Sequence, residues 1–109
     1  MDKKRRYKVK FFISQIMENK TKEEILKERE EILAKVREKY NDYLILDTYF
    51  EGFNTDKETK NIPLKYLAKS IEFLSEADLV VFGKGWETAR GCKIEHSCAV
   101  EYGIEVMYM

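Results

Sequence analysis

Short runs of apolar residues, bounded by polar ones, predict four β-strands. The first run alternates apolar and polar positions and then turns fully apolar at residues 8–13, and the second covers residues 43–47. Residues 78–82 form the most apolar run, which is typical of a strand buried on both faces of a parallel sheet. A last short strand is predicted at residues 104–108.

Between these runs the apolar residues recur at helical spacing, which predicts three helices. Thr21 followed by Glu24 fits a capping box, so the first helix covers about residues 21–39. The Lys and Glu residues on the rest of this helix indicate a solvated face. Its predicted core stripe consists of Ile25, Leu26, Leu33, Val36 and Tyr40.

The other two helices have their own start and stop signals. Pro63 suits the first turn of the second helix, which ends at residues 75–77. The third helix covers about residues 91–102, because Gly103 follows in the position of a C-terminal cap. The predicted core stripe of the second helix consists of Leu64, Leu67, Ala68, Ile71 and Leu74.

The order of elements, β-α-β-loop-α-β-α-β, predicts an α/β fold. We expect a small doubly wound, flavodoxin- or Rossmann-like open parallel sheet of four or five strands with helices on both faces. Ligands bind beyond the carboxyl ends of the strands in such folds, and the loops at residues 14–20, 48–61 and 83–90 share that edge. The longest loop, 48–61, is either a lid or binding segment or a surface loop.

Composition limits the function classes. A chain of 109 residues with 44% hydrophobic residues forms one domain, in which residues 1–7 are a basic, flexible tail. Because 20 basic residues balance 20 acidic ones, a nucleic-acid polymer is not expected as a partner. No apolar run approaches the ~20 residues of a membrane span, and Cys92 and Cys98 are spaced for neither a redox pair nor a metal site. We expect a cytoplasmic protein with reduced cysteines.

The predicted ligand-binding edge offers few polar groups. The loop after the first strand contains no glycine, so the phosphate-binding fingerprints of dinucleotide and ATP sites are absent. Ser14 and Gln15 are either hydrogen-bonding groups for a sugar or phosphate or ordinary turn residues. Trp86 either stacks on a base or sugar or packs over the sheet edge. Asp47 ends a strand at this edge, whereas Asp78 begins one at the opposite edge, so only Asp47 is a candidate.

Glu95 is the strongest candidate for chemistry. Its neighbours one helical turn to either side are all small: Gly91, Cys92, Cys98 and Ala99. A carboxylate on such a stripe has room for a ligand, and the positive end of the helix is expected to favour its ionised form. The alternative is a structural ion pair with Arg90. His96, the only histidine, is interpreted as a surface residue, and no metal-ligand cluster is visible.

Three parts of the chain carry a resemblance to a known family. They are FISQIM at residues 12–17 with TKEE at 21–24, SEADLVVF at 75–82, and GWETARGCKIEH at 85–96. They resemble the DUF4406 group, which is similar to the nucleoside 2-deoxyribosyltransferases and the deoxynucleoside 5′-monophosphate N-glycosidases. The resemblance spans nearly the whole chain. It implies a doubly wound enzyme that needs no cofactor, acts on a nucleoside or nucleotide, and assembles from two or more identical subunits.

The resemblance also implies roles for individual residues. A glutamate at the position of Glu95 attacks the anomeric carbon of the sugar in those enzymes and forms a glycosyl-enzyme intermediate. The first loop contacts sugar or phosphate, and the loop at residues 85–91 holds the phosphate of monophosphate substrates. The implied substrate-binding residues are Ser14, Gln15, Met17, Ser70, Gly85, Trp86, Arg90 and Gly91.

Two features depart from the pattern of those enzymes. Ser70 stands where they carry an aspartate, and a serine hydroxyl does not act as an acid at neutral pH. Glu18 and Asn19 stand where relatives tend to have a basic residue and a glycine, which makes the loop less favourable to an anion. The proton for the leaving base then comes from Asp47 or a neighbouring subunit, or catalysis is lost and binding is retained.

We therefore expect cleavage or transfer at the N-glycosidic bond of a nucleoside or nucleoside 5′-monophosphate, with Glu95 as nucleophile. The competing interpretations are a nucleotide-binding module that senses or sequesters its ligand, and a scaffold or interaction domain. An exposed aromatic loop and a short final strand favour a homo-oligomer.

Overall fold

The computed structural model describes residues 8–46 and 58–109 of the chain. The predicted tail at residues 1–7, Asp47 and most of the loop 48–61 lie outside the described residues. None of the described helices combines the length and apolar character needed to cross a bilayer. In chain order the elements are β1 (Val9–Ser14), α1 (Lys22–Arg37), β2 (Tyr43–Leu46), α2 (Ile62–Leu74), β3 (Leu79–Phe82), a 3₁₀ turn (Trp86–Thr88), α3 (Arg90–Glu101) and β4 (Glu105–Tyr108).

The described strands form a four-stranded parallel sheet in the order β2-β1-β3-β4. The chain moves from β1 to one neighbour, β2, and then returns to the other side of β1 to add β3 and β4. The strand order therefore reverses between β1 and β3, and Ser14 at the end of β1 pairs with Phe82 at the end of β3. The predicted α/β class and parallel sheet are confirmed.

Alternating side chains of β1 and β3 supply two separate core layers. Phe11, Ile13, Leu79 and Val81 pack on one face against Ile32 and Val36 of α1. Phe12, Val80 and Phe82 pack on the other face against Leu74 of α2 and Ala99 of α3. Helices therefore cover both faces of the sheet.

Local signals set the ends of the helices. The Thr21 side chain accepts a hydrogen bond from the N–H of Glu24, and the Glu24 carboxylate accepts one from the N–H of Thr21. This is the predicted capping box. At the end of α3, Gly103 has φ of 72°, and Ile104 N–H donates to the carbonyl of Ala99. That left-handed residue closes a Schellman motif, in which glycine avoids the steric cost of a side chain.

Asp78 has a structural role at the amino end of the sheet. Its carboxylate accepts a hydrogen bond from the backbone N–H of Lys10 at 2.9 Å, and its own N–H donates to the carbonyl of Lys10 at 2.7 Å. These two bonds join β1 to the start of β3, so Asp78 lies far along the strands from the ligand-binding edge.

The predicted core stripes were wrong in part. In α1, Ile32 is fully buried although the predicted stripe omitted it, and Leu26 is 40% exposed because it lies one residue off the line that Ile25 begins. In α2, only Leu74 is buried, whereas Leu64 is 58% exposed. The reason is that the C-terminal end of α2 packs on the sheet while its first half borders two open depressions, one of which Leu64 lines.

Replacing Thr21 with alanine removes the hydroxyl that caps α1, so the free energy of unfolding should fall by about 1 kcal/mol. Urea denaturation of the parent and the variant measures this change. Thr21→Ser keeps a capping oxygen, so its free energy of unfolding should fall by clearly less than that of Thr21→Ala. Equal losses in the two variants would contradict a capping role for the hydroxyl.

Candidate functional site

A cleft of about 570 Å³ opens where the strand order reverses. Its walls are the loop after β1, the first half of α2 and the first turns of α3. This is the position at which doubly wound folds bind ligands. Of the predicted site residues, the cleft brings together Ser14, Gln15, Met17, Ser70, Arg90, Gly91 and Glu95. We refer to it as the Glu95 cleft.

Glu95 is a buried carboxylate, only 8% exposed, on the side of α3 that faces the sheet. The hydroxyl of Ser14, at the end of β1, donates a hydrogen bond of 2.5 Å to Glu95 Oε1. A second side-chain hydrogen bond comes from Ser70 on α2. Three elements that are distant in sequence therefore meet at one carboxylate, and two of them supply hydroxyl groups to it.

Burial controls the ionisation of this carboxylate. Removal from water raises the pKa of Glu95 from its ordinary value of 4.5 to about 7, although the hydroxyls of Ser14 and Ser70 act to lower it. The expectation that the helix end favours the ionised form was incomplete. Glu95 is the sixth residue of α3, and the helix dipole acts mainly within the first turn. Loss of hydration is therefore the largest influence on its charge.

The alternative of an ion pair between Arg90 and Glu95 does not describe this site. Arg90 is exposed at the start of α3, and the described hydrogen-bond partners of Glu95 are the two serines. Gly91 leaves open space: a Cβ there would meet Leu67 Cδ1 only at 4.0 Å. Burial also raises the pKa of the neighbouring Cys92 thiol to about 11, so this thiol stays protonated.

The side chain of Gln15 is turned towards α1. Its amide nitrogen donates to Glu28 Oε1 at 2.9 Å and to the carbonyl of Ile25 at 3.3 Å. Both N–H groups of the amide are thus used within the protein. The charge pattern of α1 does not single out Glu28, because its Lys and Glu residues together indicate a solvated face. The signal was present, since Glu28 lies between the buried Ile25 and Ile32 at helical spacing.

Gly85 and Trp86 lie outside the Glu95 cleft. Gly85 has φ of 78° and begins the 3₁₀ turn, and both residues line a separate depression beside Lys84 and Tyr108. Trp86 stacks on His96 with ring centroids 4.1 Å apart, and His96 Nε2 lies 2.6 Å from the Tyr108 hydroxyl. Trp86 therefore packs against Phe82 and His96 at the sheet edge, and stacking on a base or sugar stays a prediction.

Asp47, the second predicted catalytic residue, lies outside the described residues. In the part of the chain that is described, no three His, Cys, Asp or Glu side chains are grouped so that they could hold a metal ion. The polar side chains that line the described cleft are those of Ser14, Gln15, Glu18, Ser70, Arg90, Cys92 and Glu95.

The fold and the site define a small doubly wound α/β domain with a buried carboxylate at its topological switch point. A family profile matches residues 24–108, and the chain belongs to that family, DUF4406, a domain of unknown function. Searches of curated proteins and of solved structures gave no match to the chain.

The raised pKa of Glu95 predicts how stability changes with pH. The folded state binds this proton more tightly than the unfolded state, so the stabilisation is present below about pH 4.5 and is lost as pH rises to about 7. Glu95→Gln has no such proton. Its stability relative to the parent should therefore increase by on the order of 3 kcal/mol between about pH 4.5 and pH 8.

Urea denaturation of both proteins across this pH range measures the effect. Glu101→Gln, an exposed change on the same helix, is the control and should follow the parent at every pH. A Glu95→Gln protein whose stability runs parallel to that of the parent would show that the carboxylate is not desolvated.

Proposed function

We propose that this protein cleaves or transfers at the N-glycosidic bond of a deoxynucleoside or nucleoside, or of its 5′-monophosphate. The observation that carries the proposal is the buried carboxylate of Glu95, bonded to two hydroxyls in a cleft at the switch point. The resemblance to the nucleoside 2-deoxyribosyltransferases and the monophosphate N-glycosidases supports it, because a glutamate at this position is the nucleophile there.

The reaction has two steps. A carboxylate oxygen of Glu95 attacks the anomeric carbon, the bond from that carbon to the base nitrogen breaks, and its electron pair leaves with the base. Water or the nitrogen of a second base then attacks the same carbon and releases the carboxylate. The hydrogen bond from Ser14 engages Oε1 and fixes the orientation of the carboxyl group during both steps.

The leaving base needs a proton, and Ser70 does not supply it. Its hydroxyl is a partner of Glu95, and its effect is to favour the ionised nucleophile. The candidates for the acid are Asp47 and a side chain of a neighbouring subunit.

The second candidate function is a nucleotide-binding module without turnover. It is favoured by the pKa of Glu95, which burial raises to about 7, because a carboxylate that is half protonated at neutral pH is a poor nucleophile. Ser70 in place of an acidic residue points the same way. The ligand would be the same nucleoside or nucleotide, bound but not cleaved.

The protein acts as a homo-oligomer in the cytoplasm. Self-association is supported by an apolar surface that α2 and α3 leave exposed around a depression of about 690 Å³ next to the Glu95 cleft. The exposed apolar residues there are Ile62, Leu64 and Ile94. The two free cysteines, Cys92 and Cys98, suit a reducing compartment.

Base release tests the proposed reaction. The protein is incubated with a panel of nucleosides and 5′-monophosphates, with and without an acceptor base, and free base is measured by chromatography. The parent should release or exchange base, and Glu95→Gln should lower the rate by at least about 10³-fold. The parent rate should rise with pH through about 7, as Glu95 ionises.

Glu101→Gln is the matched control and should keep the parent rate. If the parent binds a nucleoside saturably and releases no base from any substrate, the enzyme is excluded and the binding module is supported. If nothing in the panel binds, both candidate functions fail.

Replacing Leu64 with aspartate places a charge on the exposed apolar surface of α2. If this surface joins two copies, the variant should sediment as a monomer while the parent sediments as a dimer or larger assembly in analytical ultracentrifugation. Tyr102→Asp is the control, since Tyr102 is 84% exposed at the end of α3. A parent that sediments as a monomer at every concentration would contradict self-association.

A further inference from the structure

Glu28 joins the exits of the two central strands. Its Oε1 accepts the amide hydrogen of Gln15, the first residue after β1, at 2.9 Å. Its Oε2 accepts the backbone N–H of Lys84, which follows β3 by two residues, at 3.3 Å. One half-buried carboxylate on α1 therefore holds both chain segments that leave the sheet at the switch point. We refer to Glu28, Gln15 and Lys84 as the Glu28 brace.

The brace is closely packed. A Cβ at Gly83 would lie 2.9 Å from Glu28 Oε2 and 3.2 Å from Gln15 Cβ, so Glu28 occupies the space that any other residue at position 83 would need. The N–H of Gly83 also donates to the carbonyl of Ser14 at 2.8 Å. The end of β1, the end of β3 and the Glu28 carboxylate thus form one connected unit.

This unit is connected through Ser14 to Glu95, the candidate nucleophile. Ser14 and Gln15 are consecutive, and their side chains go to opposite faces of the sheet. Gln15 bonds to Glu28 on the α1 side, and Ser14 bonds to Glu95 on the α3 side at 2.5 Å. A shift of the backbone after β1 would move the Ser14 hydroxyl relative to the Glu95 carboxylate.

The orientation of Gln15 is imposed by its partners on α1. Its Oε1 is buried without a hydrogen-bond partner, which costs free energy, while both N–H groups are used by Glu28 and Ile25. Without the carboxylate of Glu28, the amide would keep only the longer hydrogen bond to the carbonyl of Ile25, at 3.3 Å, to offset the unpaired oxygen, so it would be held less firmly against α1. Glu28 is therefore the group that fixes this part of the cleft wall.

We propose that Glu28 is a positioning residue for the Glu95 cleft, which acts through Gln15 and Lys84 to hold the Ser14 hydroxyl against Glu95. The proposal rests on the proposed function only for its effect on turnover. Its effect on the geometry of the cleft can be measured in a protein with no enzymatic activity.

Glu28→Ala tests the proposal, with Glu30→Ala, an exposed change on the same helix, as the matched control. Amide hydrogen exchange at Gly83 and Lys84 should become at least about 10-fold faster in Glu28→Ala, because the acceptor for Lys84 is gone. The titration of the Glu95 carboxyl carbon, followed by ¹³C NMR, should move to higher pH, because the Ser14 hydroxyl no longer favours the ionised form.

A third measurement gives kcat and KM for the nucleoside that the parent cleaves best. It is made at a temperature well below that at which either protein unfolds. Glu28→Ala should lower kcat by about 10-fold to 100-fold with a smaller change in KM, and its pH profile should shift to higher pH. Glu28→Gln keeps one acceptor oxygen, so its kcat should lie between those of the parent and Glu28→Ala. This second variant replaces Glu28→Ala in the test if Glu28→Ala does not fold.

The outcomes separate the two proposals. If the parent releases no base but Glu28→Ala still speeds exchange and moves the Glu95 titration, the proposed function fails and the positioning role stands. If Glu28→Ala, or Glu28→Gln in its place, lowers stability but leaves the Glu95 titration and kcat unchanged, Glu28 is merely structural and the inference is overturned.

Discussion

The pairing of β1 with β3 is the constraint on which the rest of this domain depends. Because the two strands are parallel and buried on both faces, their side chains must alternate between two helical layers. The same alternation continues one step beyond the apolar core. It sends Ser14 to α3 and Gln15 to α1, so each of these consecutive residues meets one carboxylate, Glu95 or Glu28. The alternation of side chains that forms the two core layers therefore also places the polar residues of the site.

The two carboxylates show different solutions to the cost of burial. Glu28 is half-buried and bonds to an amide and a backbone N–H, and it holds loops in place. Glu95 is almost fully buried, with hydroxyl partners that oppose only part of the loss of hydration. A fold selected for stability alone would replace such a group with an apolar one. Its presence on a stripe of small residues, beside an open cleft, is why the candidate chemistry centres on Glu95.

Sequence patterns predict the structure correctly where interactions between neighbouring residues determine it. The capping box at Thr21, the left-handed Gly103 and the fully apolar β3 each follow from a few neighbouring residues. Glu95 could be found because a carboxylate among small residues is a local anomaly. The exposure of Leu64 and the stacking of Trp86 on His96 could not be predicted, because both depend on how α2 and α3 pack against the sheet. Helical spacing identifies an apolar face but not what covers it.

The loop after β1 determines both a backbone turn and the charge on one wall of the Glu95 cleft. Asn19 has φ of 63°, a left-handed conformation that asparagine tolerates better than most residues and that glycine adopts freely. Asn19 therefore lets the chain turn here at little steric cost. The charges on the cleft wall are mixed, because Glu18 lines the cleft and Arg90 is the only cation among the described lining residues. The carboxylate of Glu18 opposes the field of Arg90, so this loop weakens the attraction of the cleft for an anionic group.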